Sequence, residues 1–299
     1  MEANILNPNF CESKLEKIKE NLQQIFNSIG LKNMSFGKLL RPRLGLLVAK
    51  KIKLIDDITR ELAAVELIHN ASLFHDDVID EANMRRNSPS LNFLKGNKFS
   101  ILYGDLLILN ATKLILDSEN QEIFKLYIKT AEDMIAGELI EISNRSNLKL
   151  DFQQYLDIVR KKSGSLFGLA AAIPAVVSKE NYEPFYNIGV EIGVEYQKMD
   201  DLFDFIKDSR ELGKDSLKDI ENGVISFPLI LLKNEIGEER LEKILQKKDF
   251  EMLKLIFKEH CEKLAVSDIK DNVLKIKREH PWLNEFLDMV FSKIFQYNF

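Results

Sequence analysis

Apolar residues recur at three- and four-residue spacing along most of the chain, which is the pattern of helices that each bury one face. The segment around Ile18, Leu22 and Phe26 is an example. Period-two alternation, which would indicate strands, is scarce. The pattern therefore predicts an all-α protein of about ten or more helices.

Two segments, residues 63–74 (AAVELIHNASLF) and 168–177 (GLAAAIPAVV), are apolar around most of the helix. We expect other helices to surround them. Turn formers and charges interrupt the helical pattern at five places, none of which has the composition of a domain linker. These breaks fall at residues 37–42, 85–90, 143–151, 178–184 and 207–223. We predict a single domain over residues 1–299.

The composition narrows the class of protein. The 299 residues are 45% hydrophobic, and 42 basic against 47 acidic residues give a net charge of −5. This balance offers no general attraction for nucleic acid, so an anionic ligand needs local basic residues. Cys11 and Cys261 lack a paired spacing, which favours a reducing compartment. Without a signal peptide or an apolar run of ~18 residues, we expect a cytoplasmic protein with no integral membrane segment.

Acidic residues are concentrated where the apolar segment 63–74 ends, in HDDVID at 75–80, and the pattern returns as MDDLFD at 199–204. Residues four apart share a helix face, so each motif would aim its carboxylates together. Carboxylate oxygens suit Mg²⁺, which typically takes one or two of them plus phosphate oxygens. A single motif is more often a solvated helix face, but two copies indicate a metal–diphosphate site. The carboxylates are Asp76, Asp77, Asp80, Asp200, Asp201 and Asp204.

Basic residues near these motifs support the same interpretation. Arg85 and Arg86 follow the first motif closely, and guanidinium groups grip phosphate through two hydrogen bonds. Each of the other basic positions is ordinary surface charge when taken alone. They are Lys38, Arg41, Lys161, Lys162 and Lys214. His69 lies two helical turns before Asp76 and so shares its face, although an isolated histidine is more often a core residue.

At these residues the chain resembles the trans-isoprenyl diphosphate synthases, the polyprenyl synthetase family, from about residue 37 to 228. The ordered matches are GKLLRP, ELIHNASLFHDDVIDEANMRRNSP, YGD at 103–105, GELIE at 137–141, YLDIVRKKSGSLF, GVEYQKMDDLFD, LGKD and FPL. The resemblance implies an isoprenoid-synthase bundle of long helices around a central cavity. It also implies that the two aspartate motifs face each other across the cavity mouth.

The same resemblance implies roles for individual residues. Asp76, Asp80 and Asp200, supported by Asp77, Asp201 and Asp204, would hold two or three Mg²⁺ ions on an allylic diphosphate. The groups that grip this diphosphate would be Arg85, Lys162, Ser163, Gln197 and Lys214. Isopentenyl diphosphate would be bound by Lys38, Arg41, His69 and Arg86.

The implied reaction needs no protein nucleophile. Mg²⁺ and cationic side chains stabilise the departing pyrophosphate, and the double bond of isopentenyl diphosphate attacks the resulting carbocation. The proton is then lost to the pyrophosphate. Three positions depart from the family pattern, namely Ser163 in place of threonine, Asn87 in place of glycine and Leu39 in place of a basic residue. The C-terminal IFQYNF also lacks a basic ending.

Small residues before the first motif favour a long product. Ala71 and Ser72 leave room where aromatic residues would close the tunnel of short-product relatives, and Glu138 replaces a glutamine common in many relatives. DDVID also lacks two extra residues found in bacterial farnesyl-type enzymes. The tunnel wall and floor would be formed by Ile68, Leu67, Ala64, Met134 and Phe124, although such apolar residues are usually core.

We therefore predict a long-chain synthase of the octaprenyl type. It would extend farnesyl diphosphate for quinone side chains and pass its product to the membrane. The alternatives are a geranylgeranyl or farnesyl diphosphate synthase, or one subunit of a heteromeric synthase. A class I terpene cyclase fits less well, since its second metal motif is rich in Asn, Ser and Glu. A homodimer is expected by analogy.

Overall fold

The computed structural model describes residues 10–32, 34, 36–85, 88–207 and 217–297, with Lys218 described by its backbone alone. Within these residues, fifteen α-helices, one π-helix, one 3₁₀ turn and one two-stranded hairpin are present. The prediction of an all-α protein is confirmed. A central cavity stays a prediction.

The chain up to and including the second aspartate motif contains nine α-helices of 5 to 24 residues and the π-helix. They are α1 (Phe10–Ser28), α2 (Leu40–Lys51), α3 (Thr59–Ile79), α4 (Leu91–Lys95), α5 (Asn97–Leu116), α6 (Gln121–Ser143), α7 (Phe152–Val159), the π-helix (Arg160–Gly164), α8 (Ser165–Val177) and α9 (Glu183–Ile206). Between α3 and α4, β1 (Met84–Arg85) pairs antiparallel with β2 (Ser88–Pro89).

Six further α-helices and the 3₁₀ turn complete the described part of the chain. They are α10 (Lys218–Glu221), α11 (Phe227–Ile236), α12 (Glu238–Gln246), α13 (Phe250–His260), α14 (Glu262–Glu279), the 3₁₀ turn (Pro281–Leu283) and α15 (Asn284–Phe295).

The backbone divides into two compact units. The first comprises Met1–Glu81, Leu91–Met134 and Ser163–Gly193, and the second comprises Ala82–Ser90, Ile135–Lys162 and Val194–Phe299. One domain over residues 1–299 stays a prediction.

In the first unit, α3 and α8 are the central helices. Almost every residue of α8 is buried, as is most of α3 up to Ala71. Gly45 on α2 permits this packing, because an added Cβ would lie 2.5 Å from Leu62 of α3 and 2.7 Å from the Ala170 carbonyl of α8. The two segments expected to be central are therefore confirmed as central in this unit.

In the second unit, α7 begins sharply at a capping box. The Asp151 side chain accepts a hydrogen bond from the Gln154 N–H, and the Gln154 side chain accepts one from the Asp151 N–H, each at 2.9 Å. The two bonds satisfy donors that a helix start leaves without a partner. The break expected at residues 143–151 is thereby confirmed, and α7 runs directly into the π-helix.

Candidate active site

The first aspartate motif lies where α3 ends. The Asp80 N–H donates to the Asp76 carbonyl at 2.8 Å, so the helical turn continues through Asp80 and the two side chains share a face. Asp76 and Asp80 are partly exposed, whereas Asp77 is only 1% exposed. The same-face prediction for Asp76 and Asp80 is confirmed.

Side chains from α4 and α5 bind the main chain of this motif. Ser100 Oγ donates to the Phe74 carbonyl at 2.8 Å. Asn92 Nδ2 donates to the Asp77 carbonyl at 2.9 Å. These bonds span 26 and 15 residues of sequence, so they fix the end of α3 to its neighbours.

The YGD segment has a structural role that the sequence did not reveal. An added Cβ at Gly104 would clash with the His75 ring, so glycine lets α5 approach α3 here without displacing that side chain. His75 Nε2 lies 3.2 Å from the Ile101 carbonyl and 3.3 Å from Asp105 Oδ1. His75 thus joins the two helices.

The second aspartate motif lies within the last turns of α9, and its middle carboxylate is tied to the protein. Asp201 accepts hydrogen bonds from Tyr155 Oη at 2.7 Å, Gln197 Nε2 at 2.8 Å and the Phe227 N–H at 3.3 Å. Burial raises the pKa of Asp201 to about 7 against the lowering effect of these donors. Burial and the Asp201 charge raise the pKa of Tyr155.

A carboxylate has about four lone-pair sites, and three of those on Asp201 are used by these donors. Asp201 therefore joins α9 to α7 and to the start of α11. Tyr155 was missed by the sequence reasoning, although it stands inside the quoted YLDIVRKKSGSLF segment. A metal-binding role for Asp201 stays a prediction, as do those of Asp200 and Asp204.

A buried ion network lies on another side of α9. Lys198 is 1% exposed, and its Nζ lies 3.0 Å from Glu195 Oε2 and also pairs with Asp268 of α14. Asn272 Nδ2 donates to Glu195 at 3.1 Å. Burial raises the pKa of Glu195 to about 7, and Lys198 acts in the opposite direction. At 100° per residue, Lys198 and Asp200 point about 160° apart, so the network holds the back of α9.

Among the predicted diphosphate ligands, Lys162 lies on the π-helix. Its Nζ is 2.6 Å from Glu138 Oε2 and 2.6 Å from Glu141 Oε1, both on α6. Lys161, the preceding residue, pairs instead with Asp157 at 2.9 Å. Ser163 belongs to the same π-helix, and such helices occur frequently at functional sites.

Arg85 lies in β1 and is partly exposed. Its hairpin is closed by Ser90, whose N–H donates to the Asn83 carbonyl at 3.0 Å and whose Oγ donates to the Ala82 carbonyl at 2.6 Å. The predicted ligands Arg86 and Lys214 lie outside the described residues.

The predicted isopentenyl diphosphate ligands of the first unit lie at the start of α2 and in the middle of α3. Lys38 is exposed just before α2. The Arg41 guanidinium lies 4.6 Å from the centre of the Phe167 ring, a cation–π contact that orients it. His69 is partly exposed on α3.

The predicted tunnel residues are mostly buried. Ala71, Leu67 and Ala64 are 0% exposed and Ile68 is 4% exposed. Ser72 is partly exposed, while Met134 and Phe124 pack against the same apolar cluster as the α3 residues. Their role as a substrate wall stays a prediction.

Metal binding depends on the donor chemistry of the motifs. In the part of the chain that the structure describes, no group of three or more His, Cys, Asp or Glu side chains could hold a metal ion. Mg²⁺ typically takes one or two protein carboxylates and completes its octahedron with water and phosphate oxygens. The partly exposed Asp76, Asp80 and Asp200 fit that requirement.

The fold and the paired motifs can be compared with known proteins. A family model described as polyprenyl synthetase matches residues 23–264. A prenyl transferase of Synechocystis sp. is 34% identical over 201 residues, 65% of this chain and 62% of that protein. A nonaprenyl diphosphate synthase of Mycobacterium tuberculosis is 32% identical over 229 residues, 75% of this chain and 66% of that protein.

A solved structure shares the fold. It is a polyprenyl synthase from Caulobacter crescentus complexed with calcium and isoprenyl diphosphate. It aligns over 98% of this chain and 96% of its own with a TM-score of 0.83 at 22% identity. The helical architecture and the two aspartate motifs thus define an isoprenoid-synthase-type protein. The chain belongs to the polyprenyl synthetase family.

Proposed function

We propose that this protein is a prenyltransferase that condenses isopentenyl diphosphate with an allylic diphosphate, with farnesyl diphosphate as the primer. The product would be a long-chain all-trans polyprenyl diphosphate that passes to the membrane, where it would supply quinone side chains. The observation that carries the proposal is the presence of two DDxxD motifs on helices in a chain that belongs to the polyprenyl synthetase family.

The acidic residues would bind the allylic diphosphate through metal ions. Asp76 and Asp80 share one face at the end of α3, and Asp200 belongs to the second motif. When bound, two or three Mg²⁺ ions would supply Lewis-acid stabilisation of the departing pyrophosphate. The Caulobacter polyprenyl synthase, complexed with calcium and isoprenyl diphosphate, supports a divalent ion in this role.

The basic residues would bind the phosphates directly. Lys162 lies on the π-helix and Arg85 on the hairpin, and Lys214 is assigned here from its motif alone. Ser163 and Gln197 would add hydrogen bonds to the allylic diphosphate. The residues proposed for isopentenyl diphosphate are Lys38, Arg41, His69 and Arg86. Apolar surroundings would exclude water from the carbocation.

The direct test is incubation of the purified chain with farnesyl diphosphate, isopentenyl diphosphate and Mg²⁺, followed by mass determination of the products. We expect an all-trans polyprenyl series and released pyrophosphate. A single extension to geranylgeranyl diphosphate would reject the long-chain assignment. Condensation only after a second subunit is added would reject a homomeric enzyme.

The long product is supported by the side chains before the first motif. Ala71 is fully buried on α3, five residues before Asp76, and Ser72 lies four residues before Asp76. The related Mycobacterium protein is named a nonaprenyl diphosphate synthase. An Ala71→Phe variant is expected to shorten the product while retaining the first condensation. An unchanged product distribution would contradict the tunnel assignment.

A homodimer is supported by an exposed apolar stripe on α5. Phe99, Leu102, Leu106 and Leu109 recur at three- and four-residue spacing, Leu116 lies seven residues further on, and each of the five is at least 40% exposed. This is the seam spacing of packed helices. In the described part of the chain, α5 is also the one helix that is long and apolar enough to cross a membrane. Length and composition alone do not establish a membrane span, because core helices of soluble proteins meet the same criterion.

Analytical ultracentrifugation of wild type and of a Leu102→Glu, Leu109→Glu variant tests the dimer. We expect a dimer for wild type and a monomer for the variant. A wild-type monomer that floats with lipid vesicles would instead assign the stripe to a membrane surface. A cytoplasmic location is part of the proposal, supported by Cys11 and Cys261, which form no disulfide.

A further inference from the structure

Lys162 has two carboxylate partners on one helix. Its ammonium lies 2.6 Å from Glu138 Oε2 and 2.6 Å from Glu141 Oε1. Glu138 and Glu141 are three residues apart on α6 and therefore share a face. We name this pair the acidic seat. One cation thus faces two anions, which leaves the cluster with a net negative charge.

The backbone is shaped to bring Lys162 to the acidic seat. An added Cβ at Gly137 would lie 2.7 Å from the Lys162 N and 3.0 Å from the Lys161 Cβ. Glycine therefore lets α6 touch the π-helix at this point. Lys161, the adjacent residue, points elsewhere and pairs with Asp157 on α7.

The acidic seat is largely removed from water. The side chains of Glu138 and Glu141 are 14% and 20% exposed, whereas that of Asp157 is 56% exposed. Burial and the Glu138 charge raise the pKa of Glu141, and Lys162 lowers it. Because charges screened less by water interact more strongly, the acidic seat reduces the attraction of Lys162 for any other anion.

We propose that Glu138 and Glu141 are positioning residues that act through Lys162 and weaken the retention of pyrophosphate. The inference rests on the proposed function, in which Lys162 binds the diphosphate. The Lys162 ammonium would contact both the acidic seat and the phosphate oxygens while pyrophosphate is bound. When pyrophosphate leaves, the ammonium would contact Glu138 and Glu141 alone. A chain-elongating enzyme must release one pyrophosphate in every cycle, so a lower affinity for pyrophosphate favours repeated turnover.

Calorimetric titration with inorganic pyrophosphate and excess Mg²⁺ tests this inference. Glu138→Gln removes one charge and keeps the shape, so we expect the Kd for pyrophosphate to fall about tenfold. Glu138→Asp keeps the charge and is expected to stay within about twofold of wild type. The matched control is Asp157→Asn, which removes the exposed partner of Lys161 and should leave the Kd unchanged.

The sign of the change separates the proposal from a structural role. A seat that merely held Lys162 in place would give weaker binding in Glu138→Gln, and unchanged or weaker binding overturns the inference. Glu141→Gln carries the same expectation if Glu138→Gln does not fold. In product-inhibition kinetics, both variants should lower the inhibition constant for pyrophosphate. Wild type that neither condenses substrates nor binds pyrophosphate would reject the proposed function itself.

Discussion

The two aspartate motifs share a sequence pattern but are supported in different ways. The bonds that fix the first motif reach main-chain carbonyls, those of Phe74 and Asp77. In the second motif, the Asp201 carboxylate itself accepts three hydrogen bonds. The bonds described for the second motif thus act on a carboxylate, whereas the two described for the first motif act on backbone carbonyls. The middle acid of the second motif joins three helices.

The helix ends explain part of this difference. The first motif lies where α3 stops, so neighbouring side chains can reach backbone groups there. The second motif lies in the last turns of α9, and its residues up to Asp204 precede the end of that helix. The contacts described for it use side chains, those of Asp201 and Lys198.

The largest loss of activity is expected when the first aspartate of either motif, Asp76 or Asp200, is replaced. Asp76→Ala and Asp200→Ala should each lower kcat by about a thousandfold or more, because several kcal/mol of leaving-group stabilisation are lost. Initial rates in excess Mg²⁺ measure this effect, with urea unfolding as the control for folding. Near-wild-type rates in either variant would contradict the metal assignment. Asp201→Asn is expected to lower kcat less and to lower the free energy of unfolding more than these two variants.

The buried network behind the second motif predicts a pH-dependent stability. The pKa of Glu195 is raised from the usual 4.5 to about 7. Between these values the folded protein retains a proton that the unfolded chain has released, so this group stabilises fully below pH 4.5 and loses its contribution as the pH rises through 7. The groups that face Glu195 are Lys198, Asp268, Asn272 and Tyr155.

Urea unfolding of wild type and Glu195→Gln across pH 4.5 to 8 measures this contribution. The difference in the free energy of unfolding should change by up to about 3 kcal/mol over the window, with wild type losing stability relative to the variant as the pH rises. A difference that is constant with pH would show that Glu195 titrates normally. Variants of Asp76 and Asp80 leave the groups that face Glu195 in place, so they should not change this slope.

Tyr155 tests the direct support of the second motif. Tyr155→Phe removes the 2.7 Å bond to Asp201 and leaves a partly buried carboxylate with one donor fewer. Hydrogen bonds to charged groups contribute about 1.5–3 kcal/mol, so we expect a loss of about 2 kcal/mol in the free energy of unfolding. Phe152→Leu, which changes a neighbouring ring without touching Asp201, is the control for lost aromatic packing. A Tyr155→Phe variant as stable as wild type would mean that the hydroxyl is unimportant.

The fold was predictable because helical periodicity and apolar segments are local signals. The central position of α3 and α8 followed from residues 63–74 and 168–177 alone. The same-face arrangement of Asp76 and Asp80 followed from helix geometry. Each of these inferences needs only residues that lie within one helix.

The supporting contacts could not be predicted, because they join residues far apart in sequence. Tyr155 and Asp201 are 46 residues apart, and Lys198 and Asp268 are 70 apart. Gly104 and Gly137 gave a weak signal, since each stands in a quoted motif, but the reason for glycine is a neighbouring helix. A lysine such as Lys198 looks like surface charge in a sequence, although it is buried here.

The smallest loss of stability is expected when a side chain that binds the backbone next to the first motif is removed. Ser100→Ala removes the 2.8 Å bond to the Phe74 carbonyl, a buried contact that joins α5 to α3. One neutral hydrogen bond contributes about 1 kcal/mol, and the carbonyl can still accept its intrahelical partner. Ser143→Ala, which removes an exposed bond to the Leu139 carbonyl, should change the free energy of unfolding by less than about 0.5 kcal/mol. If Ser100→Ala instead lowers the free energy of unfolding more than Tyr155→Phe does, the backbone contact of the first motif contributes more stability than the Tyr155 bond of the second. That outcome would contradict the predicted ranking.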